Sequence, residues 1–298
     1  MISRLIYTFS TSAFASKLED YKQLVKFRLN LFVVFSAVCS FVIVSGGLFT
    51  IEQLLLLASG GFLITGSANA LNEVLEKDFD KLMTRTENRP LPASRMSVSE
   101  AVLSAGFMFV IGIFILALFN PLAAVIGSAA VVSYAFIYTP LKRVSTIAVT
   151  VGAIPGALPV LIGAVAFEGQ ITSFALLLFG IQFLWQFPHF WSIGWLGFND
   201  YKKAGYKLVP VKEDAPDRGI GLQSTIYTLL ILPLIALGYY LGHINLLVLA
   251  LIATSTLAYS FMGYRLYVRG DNMAAKKLMF SSFLYLPFVL GAILTLNH

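Results

Sequence analysis

Long apolar stretches broken by short polar intervals run through nearly the whole chain. Stretches of ~17 to 25 residues, each long enough to cross a hydrocarbon core ~30 Å thick, occupy about 30–49, 52–73, 97–118, 120–138, 146–167, 172–195, 220–241, 244–263 and 276–296. A segment in lipid must satisfy its own backbone hydrogen bonds, so these stretches predict nine transmembrane helices in an all-α polytopic bundle, one domain over residues 1–298. Asn120-Pro121, Glu168-Gly169-Gln170 and Gly242-His243-Ile244-Asn245 are tight connections, and Ser97-x-x-Glu100 reads as a capping box opening the third span. Two intervals are long and charged, 74–96 and 196–219, and residues 1–29 form an N-terminal interfacial tail. The second and sixth spans each lead into one of the long loops, while the fourth and eighth lead into short basic ones. This echo predicts two four-helix pseudo-repeats in parallel orientation plus a ninth helix, with the two long loops meeting at one mouth of the bundle.

Composition narrows the class. Of 298 residues 58% are hydrophobic and 12% charged, with 25 Phe and 13 Tyr, more apolar surface than a soluble core of this size buries. A net charge of +6 would raise nucleic acid as a partner in a soluble protein. Here all 21 Lys and Arg residues fall in the tail, the two long loops, Lys142-Arg143 and 265–277, and nine spans put these five segments on one side of the bilayer. The positive-inside rule makes that side cytoplasmic, with the N-terminus inside and the C-terminus outside, so the charge reports topology and not nucleic-acid binding. A cell (inner) membrane follows as the location. The apolar start of the tail is too interrupted for a signal peptide and gives a mitochondrial presequence only weak support. Cys39 is the single cysteine and lies in an apolar run, which excludes a disulfide within the chain and assigns it to packing.

Against this background the segment from Asn72 to Pro92, NEVLEKDFDKLMTRTENRPLP, concentrates charge. If the second helix continues past its apolar run, Asn72, Glu76 and Asp80 at i, i+4 and i+8 drift only ~80° around the axis and share a face. Three hard oxygen donors there suit Mg²⁺, and Arg85 and Arg89 behind them suit phosphate. Asp78 falls off that face. The competing reading is a solvated loop with local charge pairs such as Glu73 with Lys77 and Glu76 with Lys81. The second long loop carries Asp200, which either completes the donor set from the other half or pairs with Lys203 or Lys202. Lys142 and Arg143 at the same rim suit diphosphate or anionic lipid. His189, in WQFPHF, is either functional or satisfies backbone groups freed by a kink at Pro188.

Read whole, Asn72, Glu76, Asp80 and Met83-x-Arg85-Thr86-x-x-Arg89-Pro90-Leu91-Pro92 resemble the first acidic motif of the UbiA-type intramembrane prenyltransferases, and the ending resembles the branch that farnesylates heme. NDYKKAGYKLVPV at 199–211 is similar to the second acidic motif, with Asn199 and Lys207 departing from it, so Asp200 is the carboxylate carried over. YTPLKR at 138–143, WQFPHF at 185–190 and Lys26-Phe27-Arg28 resemble further stretches of that branch, whereas the last three spans match only in hydropathy. The resemblance implies an enzyme with farnesyl diphosphate and heme B as substrates and Mg²⁺ as cofactor. Asn72, Glu76, Asp80 and Asp200 would hold the metal, and Lys26, Arg28, Arg85, Arg89, Lys142, Arg143, His189 and Lys203 would bind substrate. It further implies a heme A synthase or terminal oxidase assembly as partner. A relative acting on an aromatic or chlorin acceptor would share the metal site, while a transporter would place its charges near the midplane and not at one mouth.

Overall fold

The computed structural model describes residues 11–296; Arg4 of the tail and His298 lie outside the described residues. The helices are α1 (Thr11–Leu24), α2 (Phe27–Ser45), α3 (Ile51–Asp80), α4 (Val98–Ala117), α5 (Pro121–Leu141), α6 (Ala148–Glu168), α7 (Ser173–Leu196), the short α8 (Phe198–Lys203), α9 (Gly219–Tyr240), α10 (Leu246–Arg269) and α11 (Asn272–Leu296). Among the described residues nine of them, all but α1 and α8, are long and apolar enough to cross a membrane. A two-stranded antiparallel hairpin, β1 (Val211–Lys212) with β2 (Ala215–Pro216), interrupts the second long loop.

The helix ends follow local chemistry. Asn120, Thr172 and Asn245 cap α5, α7 and α10 by accepting from backbone N–H groups three residues on, and Pro121 sits where its missing N–H costs nothing. Gly169 and Gly270, at φ of 71° and 60°, end α6 and α10 in the left-handed conformation that glycine adopts without strain. The cap at Ser97 differs from the expected box. Ser97 Oγ accepts from the Glu100 N–H, but the Glu100 carboxylate turns away to Lys17 Nζ at 2.9 Å and Tyr21 Oη at 3.0 Å. These contacts belong to α1, so the tail read as interfacial folds as a helix laid against the start of α4. The complete capping box is at α3, where Thr50 and Gln53 exchange both bonds.

Successive spans pack side by side around a ring, and α11 returns to α2 through Leu286 and Leu290 on Cys39. The most buried span is α6, packed against α2, α5 and α7, with 72% of its apolar window buried against 22% for α4. Small residues let it in: a Cβ at Gly163 would stand 2.0 Å from the Ala37 carbonyl oxygen of α2. Outward-facing Leu103, Phe107, Phe114 and Leu284 are exposed, as lipid-facing side chains are.

Candidate active site

The helix α3 continues past residue 73 to Asp80, and its last turns carry the acid face. Asn72, Glu73, Glu76 and Asp80 are buried there, while Asp78 points outward and pairs with Lys81. Glu73 was missed by the i, i+4, i+8 spacing. At ~100° from Asn72 it lies only ~20° around the axis from Asp80, so the i, i+7 pair Glu73–Asp80 was the signal available. Burial of so many carboxylates requires cations, and these come from elsewhere in the chain. Lys26 Nζ donates to Asn72 Oδ1 at 2.6 Å, Lys142 pairs with Glu76, and Arg89 pairs with Asp80 at 2.8 Å and approaches Glu73 at 3.5 Å. The local pairs of the competing reading, Glu73–Lys77 and Glu76–Lys81, give way to these long-range ones. Lys26 reaches its partner from a left-handed backbone, φ 50°, between α1 and α2, a strained conformation held in place at the site. Desolvation, added to the nearby Arg89 charge, pulls the Lys26 ammonium down to about 8 against the opposing pull of Glu73 and Glu76.

The two long loops meet beside this face. The Arg85 N–H donates to Asp200 Oδ2 at 3.4 Å, and its guanidinium donates to Tyr201 Oη at 2.9 Å while lying over that ring. Arg143 stacks on Phe79 with its central carbon 4.1 Å from the ring centroid, and the Lys207 N–H bonds the Lys142 carbonyl at 2.7 Å. Asp200 does not join the α3 acids: its carboxylate is held by Lys203 at 3.2 Å, which together with the Arg85 N–H keeps it below the ordinary carboxylate range. Among the described residues no three of Asp, Glu, His and Cys gather into a metal-holding group, so the expected four-donor set is divided between α3 and α8. Arg28, expected at the diphosphate, is exposed and lines a shallow hollow with Glu19, Lys22 and Lys26.

Below the acids a cavity of about 240 Å³ descends between α2, α3, α5, α6, α7 and α11. Asn69 and Tyr138 line its upper part, and Tyr138 lies beneath Lys142, whose Nζ is 4.9 Å from the ring centroid. Phe32, Trp185 and Phe283 help line it, with His189 among them. The His189 ring stacks on Trp185 at 5.0 Å and meets Phe283 edge-on, and its Nδ1 shares a hydrogen bond of 2.8 Å with Ser282 Oγ of α11. It therefore does not serve the backbone groups freed at Pro188; Gln186 instead donates to the carbonyls of Ala153 and Gln182.

The donor chemistry of the acid face fits a hard divalent cation. Asp80 Oδ1 and Glu73 Oε2 are buried without a hydrogen-bond partner, and carboxylate oxygens in that condition call for a cation or a donor.

The sequence matches the UbiA prenyltransferase family over residues 33–286. The protoheme IX farnesyltransferase of Cytophaga hutchinsonii is 42% identical over 276 residues, 92% of this chain and 96% of that protein. The protoheme IX farnesyltransferase of Christiangramia forsetii is 42% identical over 281 residues, 92% of each chain. Among solved structures, that of a digeranylgeranylglyceryl phosphate synthase superposes with a TM-score of 0.78 at 19% identity, covering 94% of this chain and 98% of that one. A UbiA homolog from Archaeoglobus fulgidus bound to GPP and Mg²⁺ follows at 0.66 and 15%, covering 92% and 99%. At those identities the structural likeness is one of fold, while the sequence match spans most of the chain: this multi-pass membrane protein belongs to the UbiA prenyltransferase family.

Proposed function

We propose that the protein transfers the farnesyl group of farnesyl diphosphate to a vinyl group of heme B, giving heme O and diphosphate. The observation that carries this reading is the junction of a buried acid-and-cation face with an aromatic-lined cavity that holds a histidine. The names of the relatives that share 42% of its residues support the choice of acceptor.

Arg89 and Lys142, which pair with the α3 carboxylates, and Lys26, which donates to Asn72, are also the cations within reach of a diphosphate at this mouth, and Arg85 and Arg143 flank them. Asn72, Glu73, Glu76 and Asp80 would hold Mg²⁺, and the bound ion would neutralise charge developing on the leaving diphosphate. As the allylic C1–O bond breaks, the faces of Tyr134 and Tyr138, 5.4 Å apart between centroids, stabilise the positive charge on carbon. The apolar cavity below keeps bulk water from quenching it. The vinyl π electrons of heme attack C1, water adds at the other vinyl carbon, and that water releases a proton. His189, oriented through Nδ1 by Ser282, has Nε2 left for the iron or a propionate. The basic loops support a position for this mouth on the cytoplasmic side of the cell membrane.

Titration of the detergent-solubilised protein with hemin, followed at the Soret band, tests the acceptor. The expected result is saturable binding that His189→Ala weakens while farnesyl diphosphate affinity stays within about twofold, because the two substrates occupy different ends of the site. Absence of hemin binding by the unaltered protein would reject heme as the acceptor.

A further inference from the structure

Within α5 the turn from Ser133 to Tyr138 is π-helical. Such turns often mark functional sites, and this one ends against the acid face. In an α-helical register the Tyr134 carbonyl would accept from the Tyr138 N–H; here it accepts from the Thr139 N–H instead. The Thr139 hydroxyl donates to the same carbonyl at 2.9 Å. A hydroxyl has one proton, so with that proton committed Thr139 Oγ1 can only accept, and what it accepts is the Nδ2–H of Asn72 at 3.0 Å. The other end of the amide, Oδ1, accepts from Lys26. Thr139 is 3% exposed and Asn72 1%, so both bonds lie away from bulk solvent.

From this chain of bonds we infer that Thr139 is a positioning residue that fixes the orientation of the Asn72 amide. Inverting the amide would set Oδ1 against the lone pairs of Thr139 and the NH₂ group against the Lys26 ammonium, two repulsions at a buried position. The orientation matters because Oδ1 is the one atom of Asn72 that can serve a divalent cation, the NH₂ group being a donor only. The widened turn thus lets a residue on α5 set which atom α3 presents beside Glu76 and Asp80. The inference rests on the proposed reading of Asn72 as a donor to Mg²⁺.

Binding of Mn²⁺ to the full chain, with a non-hydrolysable prenyl thiolodiphosphate present and free Mn²⁺ counted by electron paramagnetic resonance, tests it without turnover. Thr139→Val keeps the shape and loses the hydroxyl, and is expected to weaken Mn²⁺ about 10-fold, the scale of lost support behind a ligand. Thr139→Ser restores the hydroxyl and is expected to return affinity to near that of the unaltered protein. In an Asn72→Ala background Thr139→Val is expected to add nothing, whereas a general folding defect would add its own loss. Unaltered Mn²⁺ affinity in Thr139→Val, equal losses in the Val and Ser variants, or a further loss on top of Asn72→Ala would each overturn the inference. If the unaltered protein bound no Mn²⁺, Asn72 would not be a metal donor, and the underlying reading would fall first.

Discussion

Lys142 and Glu76 are the most enclosed ion pair at the mouth, with side chains 10% and 7% exposed. Replacing Lys142 by Met leaves Glu76 buried without its cation, and breaking a buried pair from one side costs about 3–5 kcal/mol. For a chain of this size 1 kcal/mol moves the unfolding midpoint by about 2–4 °C, so the variant should melt roughly 10 °C lower. Adding Glu76→Gln removes the stranded charge, and because the amide oxygen needs no cation, most of that loss should return. Activity should follow neither change: if Glu76 holds the metal and Lys142 the diphosphate, both variants lose turnover by about 10²-fold or more. Thermal unfolding and product formation, measured on the same detergent-solubilised samples, separate the two effects. A midpoint within about 2 °C of the unaltered protein in Lys142→Met would show that the pair is not an enclosed one. Turnover restored in the double variant would show that it only stabilises the fold.

Among the acids, Glu73→Gln and Asp80→Asn should each lower turnover by about 10²-fold, as loss of charge stabilisation in the transition state does, while Asp78→Asn, on the exposed side of α3, should stay within about twofold; similar activities in all three variants would remove the assignment of a catalytic face. Lys26, pulled down to about 8, loses its proton as pH rises through that value. The KM for farnesyl diphosphate should therefore climb above pH 8, and Lys26→Arg, which stays charged, should flatten the climb. Between about 8 and the ordinary lysine value near 10.5 the unfolded chain holds this proton more firmly than the folded one, so the Lys26 contribution to stability rises with pH. Weaker binding in that window is then not unfolding linked to this residue, and an unchanged slope in Lys26→Arg would assign the titration to another group.

The spans were legible because lipid imposes one solution on any apolar run long enough to cross it, and the expected spans agree with the observed helices to within a few residues at most ends. The larger departures have local causes: α3 runs on to Asp80 because its polar turns find buried partners, and α10 runs on to Arg269, where Gly270 stops it. Helix spacing also located Asn72, Glu76 and Asp80. It passed over Glu73 because a rule of every fourth residue ignores the neighbour that returns to the same face two turns later. Partner choice was not legible at all. Lys26 meets Asn72 across 46 positions and His189 meets Ser282 across 93, and such pairings depend on how α2, α5 and α11 pack, which no local spacing records. The division between Asp200 and the α3 acids has a local origin, since Lys203 lies one turn from Asp200 and pairs with it.

The most direct measurement incubates membranes containing the protein with heme B, farnesyl diphosphate and Mg²⁺ and examines the extracted hemes by mass spectrometry. The expected product is a hydroxyethylfarnesyl heme that forms with all three components present and disappears when the metal is chelated or Asp80 is replaced by Asn. Recovery of unmodified heme B alone, from membranes shown to contain folded protein, would contradict it.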